Sequence, residues 1–244
     1  MSEIDNFLAA ALRILPSKPA DDAPQAKKKN YSQLVSEKIA LAFAAELRRR
    51  GLEETRPAPP GEVAGSGAER RVAGGIGAKR VDVTWTTEES GLLLGVSIKT
   101  INFRDLRSKN FQKNLTNRRG DMLFEAVTLH RRFPYAVLIG FFFLDKEAAD
   151  DATKARRSTF ENAHHRLKPF TGRHGVDRPE EQFERLYLVL HDANPFNPSA
   201  RVFEAGNPQK EVNLEAAFDD IIALIAERNP DFYDHADGML TGVR

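Results

Sequence analysis

The sequence predicts an α/β fold with a mixed central β-sheet flanked by helices. Three observations carry this. The apolar period changes along the chain from helical to alternating and back to helical. A continuous apolar run, Tyr135 to Leu144, lies between Pro134 and Asp145, the pattern of a central strand covered on both faces. The remaining segments read in the order helix, hairpin, helix, buried strand, helix, strand, terminal helix, with no internal repeat.

Residues 4–15 have the spacing of a short amphipathic helix, and the Pro-, Ala- and charge-rich stretch after it reads as a linker. Residues 1–29 are therefore expected to form an N-terminal helix and flexible linker. Tyr31 to Arg50 carries Leu34, Leu41 and Ala45 on one stripe and Val35, Ile39 and Phe43 beside it, with three arginines in the last turn and Gly51 as a stop. Residues 52–78 are rich in proline and glycine and poor in large apolar side chains, which predicts a long loop. Val81, Val83 and Trp85 then alternate with polar residues, and Leu92, Leu94, Val96 and Ile98 fall on one face of the next run, so two strands joined by a tight turn follow. Residues 108–132 predict a basic helix or two, with Leu123, Val127 and His130 at helical spacing. Ser158 to Leu167 reads as a helix, Arg185 to His191 as a strand and Val212 to Arg228 as an amphipathic helix. The expected organisation is a core domain over 30–192 and a helical extension over 193–244 packed on it.

A chain of 244 residues, 41% of them hydrophobic, can bury one substantial core. No apolar run approaches the roughly 18 residues of a membrane span. Glu3 and Asp5 stand where a secretory signal carries positive charge, so the expectation is a cytoplasmic protein with no membrane partner. With no cysteine, disulfides, thiolate catalysis and Cys-based metal sites are excluded. A net charge of +1 argues against a protein that coats polyanions indiscriminately.

The hairpin geometry follows from its turn. If Glu88 pairs with Gly91, paired numbers sum to 179, which sets Asp82 across from Ser97 and puts Lys99 further along the same face. Val81, Val83, Val96 and Ile98 then form the opposite, buried face. An isolated Asp and Lys on a sheet more often make a solvated salt bridge than a site. Here their context matters. Val81-Asp82-Val83 followed by Val96-Ser97-Ile98-Lys99, after a helix and before a helix and a buried strand, resembles the PD-(D/E)xK nuclease superfamily, whose core also hosts type II restriction enzymes. The resemblance covers roughly residues 31–192. It differs in two places: no proline precedes Asp82, and Ser97 stands where the family has Glu or Asp. Some restriction enzymes of this superfamily carry Ser-x-Lys and take the missing acid from a neighbouring helix.

The resemblance implies an αβββαβ-type restriction-endonuclease-like core and a magnesium-dependent DNA endonuclease, with Mn2+ as a substitute, serving restriction or another anti-phage defence. Asp82, Lys99 and Ser97 are its expected catalytic residues, and Asp82 its first metal ligand. For the helix-borne acid Glu37 is the leading candidate, between Leu34 and Leu41 where an unpaired carboxylate is costly; Glu125 and Glu46 are alternatives. Between residues 104 and 119 six basic residues meet the single acid Asp105. Arg104, Arg107, Lys109, Gln112, Lys113, Asn117, Arg118 and Arg119 there, with Lys79 and Arg80 before Asp82, are the expected contacts to double-stranded DNA. Cleavage of a symmetric site implies a homodimer, with other defence-system subunits as further partners. A nuclease-fold DNA-binding subunit without chemistry is the alternative reading, suggested by Ser97. The glycines of 74–77 lack the ending of a phosphate loop and are read as easing the backbone toward DNA or into the Asp82 strand.

Overall fold

The computed structural model describes residues 2–59, 61 and 70–243. It is an α/β fold around a six-stranded mixed sheet. Helix α1 (Glu3–Arg13) opens on Ser2, whose hydroxyl accepts the Asp5 N–H in a capping box. Helix α2 (Gln25–Arg49) begins six residues earlier than the apolar stripe suggests, because Gln, Ala and Lys sustain a helix from Pro24 onward without a packed face. Strands β1 (Arg70–Ala73) and β2 (Ala78–Val81) form a small antiparallel hairpin inside the segment expected to be a loop, of which residues 60 and 62–69 lie outside the described residues.

The main sheet starts with β3 (Val83–Thr87) and β4 (Gly91–Ile101), an antiparallel pair. Helix α3 (Leu115–His130) crosses to β5 (Val137–Asp145), parallel to β4 and buried at every position. Helix α4 (Thr159–Leu167) leads to β6 (Arg185–Asp192), parallel to β5. Two further strands, β7 (Ser199–Glu204) and β8 (Glu211–Val212), extend the sheet antiparallel from β6. The region read as a helical extension therefore completes the sheet before α5 (Leu214–Arg228) and a last hairpin of β9 (Tyr233–Ala236) and β10 (Met239–Gly242).

The sheet separates two cores. On one side Ile4, Leu8 and Leu12 of α1, Val35, Ile39 and Phe43 of α2, and Phe218, Ile221 and Ile225 of α5 cover Val83, Val96, Ile98, Ile139 and Phe141. On the other, Leu115, Met122, Ala126 and Leu129 of α3 and Phe160, Ala163 and Leu167 of α4 cover Leu138, Phe142, Leu186 and Leu188. The segment between α1 and α2 lies against the sheet end: Lys18 Nζ donates to Asp145 at 2.5 Å, and Asp21 accepts the Arg104 N–H at 3.0 Å.

Two buried charge clusters tie the layers. Arg50, 1% exposed, donates to Glu46 on its own helix, to Glu215 on α5 at 2.7 Å and to the Gly238 carbonyl at 2.9 Å. Glu184 accepts from Arg173 and Arg228, both at 3.0 Å, and from the Leu138 N–H at 2.7 Å. No described helix is long and apolar enough to cross a membrane.

Candidate functional site

The hairpin has the expected register from Val83 to Trp85. Val83 pairs with Val96 and Trp85 with Leu94, both summing to 179, but Thr87 pairs with Gly91, one position short of the turn assumed from sequence. A bulge between Trp85 and Thr86 absorbs the difference. At Asp82 the backbone bends between β2 and β3. Val81 consequently enters the α3-side core while Val83 enters the α2-side core, so Val81 does not share a face with Val83 as simple alternation predicts. With the ladder interrupted, the Asp82 carboxylate accepts the Ile98 N–H at 2.5 Å.

Asp82 and Lys99 meet at 3.7 Å, and Lys99 Nζ lies 3.3 Å from Glu125 Oε2 on α3. All three are largely buried, with side-chain exposures of 15%, 14% and 7%. Burial disfavours the charged form of each partner of the inner pair. For Lys99 burial lowers the proton affinity, but the Glu125 and Asp82 charges outweigh it and the net shift is upward. For Glu125 burial raises the pKa, and the Lys99 charge only partly offsets this. Ser97 lies beside Glu125 with its hydroxyl buried and without a hydrogen bond of good geometry among the described residues. Arg118, two helical turns before Glu125 on α3, is near enough for its charge to act on Lys99.

Glu37 does not join this group. It is exposed on α2, which packs on the sheet face opposite α3. The buried stripe of α2 runs through Val35, Ile39 and Phe43, not Leu34 and Leu41, and residue 37 lies about 200° around the helix from 35. Glu46 is buried but held by Arg49 and Arg50. Glu125 is the helix acid the structure brings to Asp82, Ser97 and Lys99. The signal that could have placed it is the spacing of Leu115, Met122, Ala126 and Leu129, the inward stripe of α3 beside which position 125 falls, whereas Leu123 and Val127, weighed from sequence, are only partly buried.

The basic residues divide by partner. Arg104 pairs with Glu147 at 3.0 Å, Lys113 with Asp105 at 2.5 Å and Arg118 with Asp121 at 3.8 Å. Arg107, Lys109, Asn117 and Arg80 are exposed. Gln112 and Arg119 are half-buried, Arg119 stacking 5.9 Å from the Phe170 ring. Lys79 stands 3.9 Å over the ring of Phe124, the exposed neighbour of Glu125. The glycines of the β1–β2 turn have a packing reason. A side chain at Gly74 would meet Thr128 at 2.4 Å and one at Gly75 would meet Arg131 at 2.7 Å, so they let the hairpin close onto α3.

Among the described residues no group of three or more His, Asp or Glu side chains is arranged to hold a metal. The donors that do converge are Asp82, Glu125 and the Ser97 hydroxyl beside Glu125, all hard oxygens. One or two carboxylates with waters and substrate phosphate suffice for Mg2+, so this set fits that ion. Comparison with protein-family models, curated proteins and solved structures finds no match to the chain.

Proposed function

We propose that the chain is a metal-dependent endonuclease with a restriction-endonuclease-like core that hydrolyses DNA phosphodiester bonds. The observation that carries this reading is the convergence of Asp82, Lys99 and Glu125 on the α3 face of β4. The path from Lys99 through a helix to a buried parallel strand matches the order expected of that core. Asp82 and Glu125 would hold a Mg2+ or Mn2+ ion, which when bound neutralises phosphate charge and lowers the pKa of coordinated water. In the chain alone the Glu125 and Asp82 charges outweigh burial and raise the Lys99 pKa. As an ammonium it would orient the attacking water and neutralise charge growing on the phosphate oxygens. Water, giving its proton to bulk solvent, would attack phosphorus as the bond to the leaving sugar oxygen breaks and that oxygen takes a proton from solvent, and the Arg118 charge that acts on Lys99 favours an anionic substrate there. A restriction or defence role and a homodimer cutting both strands belong to this same reading.

The test is incubation of the purified chain with plasmid in Mg2+ or Mn2+. Nicking and linearisation that EDTA stops, and that Asp82→Asn and Lys99→Ala each abolish, are expected. An intact plasmid in both metals, or full cutting by both variants, overturns the proposal. A second reading, a nuclease-fold DNA-binding subunit without chemistry, draws on Ser97 standing in the acid position. It predicts a mobility shift that EDTA leaves unchanged, without cleavage.

A further inference from the structure

The segment that leaves β4 past Lys99 folds into a locked loop with an apolar tip. Its base is buried: Asn102 is 2%, Asn110 7% and Phe111 1% exposed. The loop closes on itself by the Asp105 N–H donating to the Asn110 carbonyl and the Lys109 N–H donating to the Asp105 carbonyl, each at 2.8 Å. Asp105 organises the interior, its carboxylate accepting from the N–H groups of Arg107 at 3.2 Å and Ser108 at 3.0 Å, the Ser108 hydroxyl at 3.1 Å and Lys113 Nζ at 2.5 Å. Lys109 takes a left-handed conformation, φ 55°, which a lysine adopts only where surrounding bonds impose it. The result is a rigid turn on which Leu106 is 50% exposed, followed closely by the exposed Arg107 and Lys109, whose side chains have no ion-pair partner among the described residues.

A single exposed leucine needs no explanation on an ordinary surface. This one sits on a backbone held by hydrogen bonds, is followed within three residues by two cations and lies a few residues after Lys99. Proteins that kink duplex DNA combine these parts: cations that follow the phosphates and an apolar wedge that enters a base step. A loop already fixed before binding loses little freedom on docking. We infer that residues 104–109 form a duplex-probing loop in which Arg107 and Lys109 grip the backbone and Leu106 wedges between base pairs beside the cleavage site. This rests on the nuclease reading for the location of the scissile phosphate, and on the loop alone for the wedge.

The experiment compares two labelled duplexes, one fully paired and one with a central mismatch, titrated in Mg2+ against the Asp82→Asn chain. A wedge gains from DNA whose stacking is already weakened. The mismatched duplex is expected to bind about tenfold more tightly, and adding Leu106→Ala to remove that preference while thermal stability is unchanged. Arg107→Ala and Lys109→Asn, the latter chosen because asparagine tolerates the left-handed backbone, should each reduce the slope of log affinity against log salt by about one. A preference that persists in the Leu106→Ala chain, no preference in the parent, or binding confined to single strands or RNA overturns the wedge. Plasmid cleavage by the wild-type chain reads the nuclease proposal separately, so either can fail while the other stands.

Discussion

The Asp82 carboxylate receives the backbone N–H of Ile98, the residue next to Lys99, at 2.5 Å. One side chain thus replaces a missing rung of the strand ladder and also faces the Lys99 ammonium. The two tasks can be separated. Asp82→Asn keeps an oxygen for the Ile98 N–H and should leave stability within about 0.5 kcal/mol, whereas Asp82→Ala strands that N–H and should cost about 1–3 kcal/mol. Both should lower plasmid cleavage by about a thousandfold, for loss of the charge. Urea unfolding alongside cleavage rates checks this, and equal stability losses in the two variants would contradict it.

Glu125 and Lys99 form a buried pair, and removing one partner leaves the other uncompensated. Lys99→Met should destabilise by about 3 kcal/mol near pH 8. The effect should shrink toward pH 5. The Glu125 pKa in the folded chain lies above its ordinary value of 4.5, so its contribution is full below that value and is lost as pH rises through the folded pKa. Taking away the Lys99 charge moves the folded pKa further up and deepens that loss. Adding Glu125→Gln should restore much of the stability at pH 8. A loss of equal size at both pH values would contradict the pairing.

Glu125, not Glu37, is the helix acid that lies with Asp82 and Lys99. Glu125→Gln should reduce cleavage by at least about a hundredfold, a loss on the scale of one charged group acting at the phosphate. Glu37→Ala, at an exposed site, should leave rate unchanged and stability within about 0.5 kcal/mol. Initial rates of nicking measured in parallel decide between them.

Glu184 holds Arg173, which is 1% exposed, together with Arg228. Burial raises its pKa, but the His130 ring 3.4 Å away, the Leu138 N–H and Arg228 together bring the net shift below the ordinary 4.5. Its stabilisation is therefore present above pH 4.5 and lost as pH falls through the lowered folded value. Glu184→Gln should cost about 3 kcal/mol at pH 7 and give a flatter stability curve below pH 4.5 than the wild type. Urea midpoints across pH 3–7 test both.

Apolar period carries far in this sequence. Val137–Asp145, buried throughout, and Arg185–Asp192 fall within two residues of the strands read from pattern, because a continuous apolar run between breakers admits few alternatives. Strands β7 and β8 were not legible: Ser199–Glu204 has only Val202 and Phe203 buried, too short a pattern to stand out without its neighbour β6. Near the site, Val83 pairs with Val96 as the sequence predicts although the assumed turn was one residue off, since the bulge after Trp85 restores the register; at Asp82 the ladder stops and the carboxylate meets the Ile98 N–H instead. Glu37 misled because α2 carries two adjacent apolar stripes and sequence does not say which one meets the sheet. Glu125 required the phase of α3, fixed by Met122 and Leu129 and not by the more evident Leu123 and Val127.

The bend at Asp82 sends the chain from the core beneath α3 to the core beneath α2, between Val81 and Val83. Neither layer alone therefore brings the three charges together: α3 must seat Glu125 while α2 holds β3, the strand that follows Asp82. A molecule with one layer undocked has no assembled charge cluster, which ties any chemistry at Lys99 to completed folding and makes the Ile98 amide a natural hydrogen-exchange reporter of that last step.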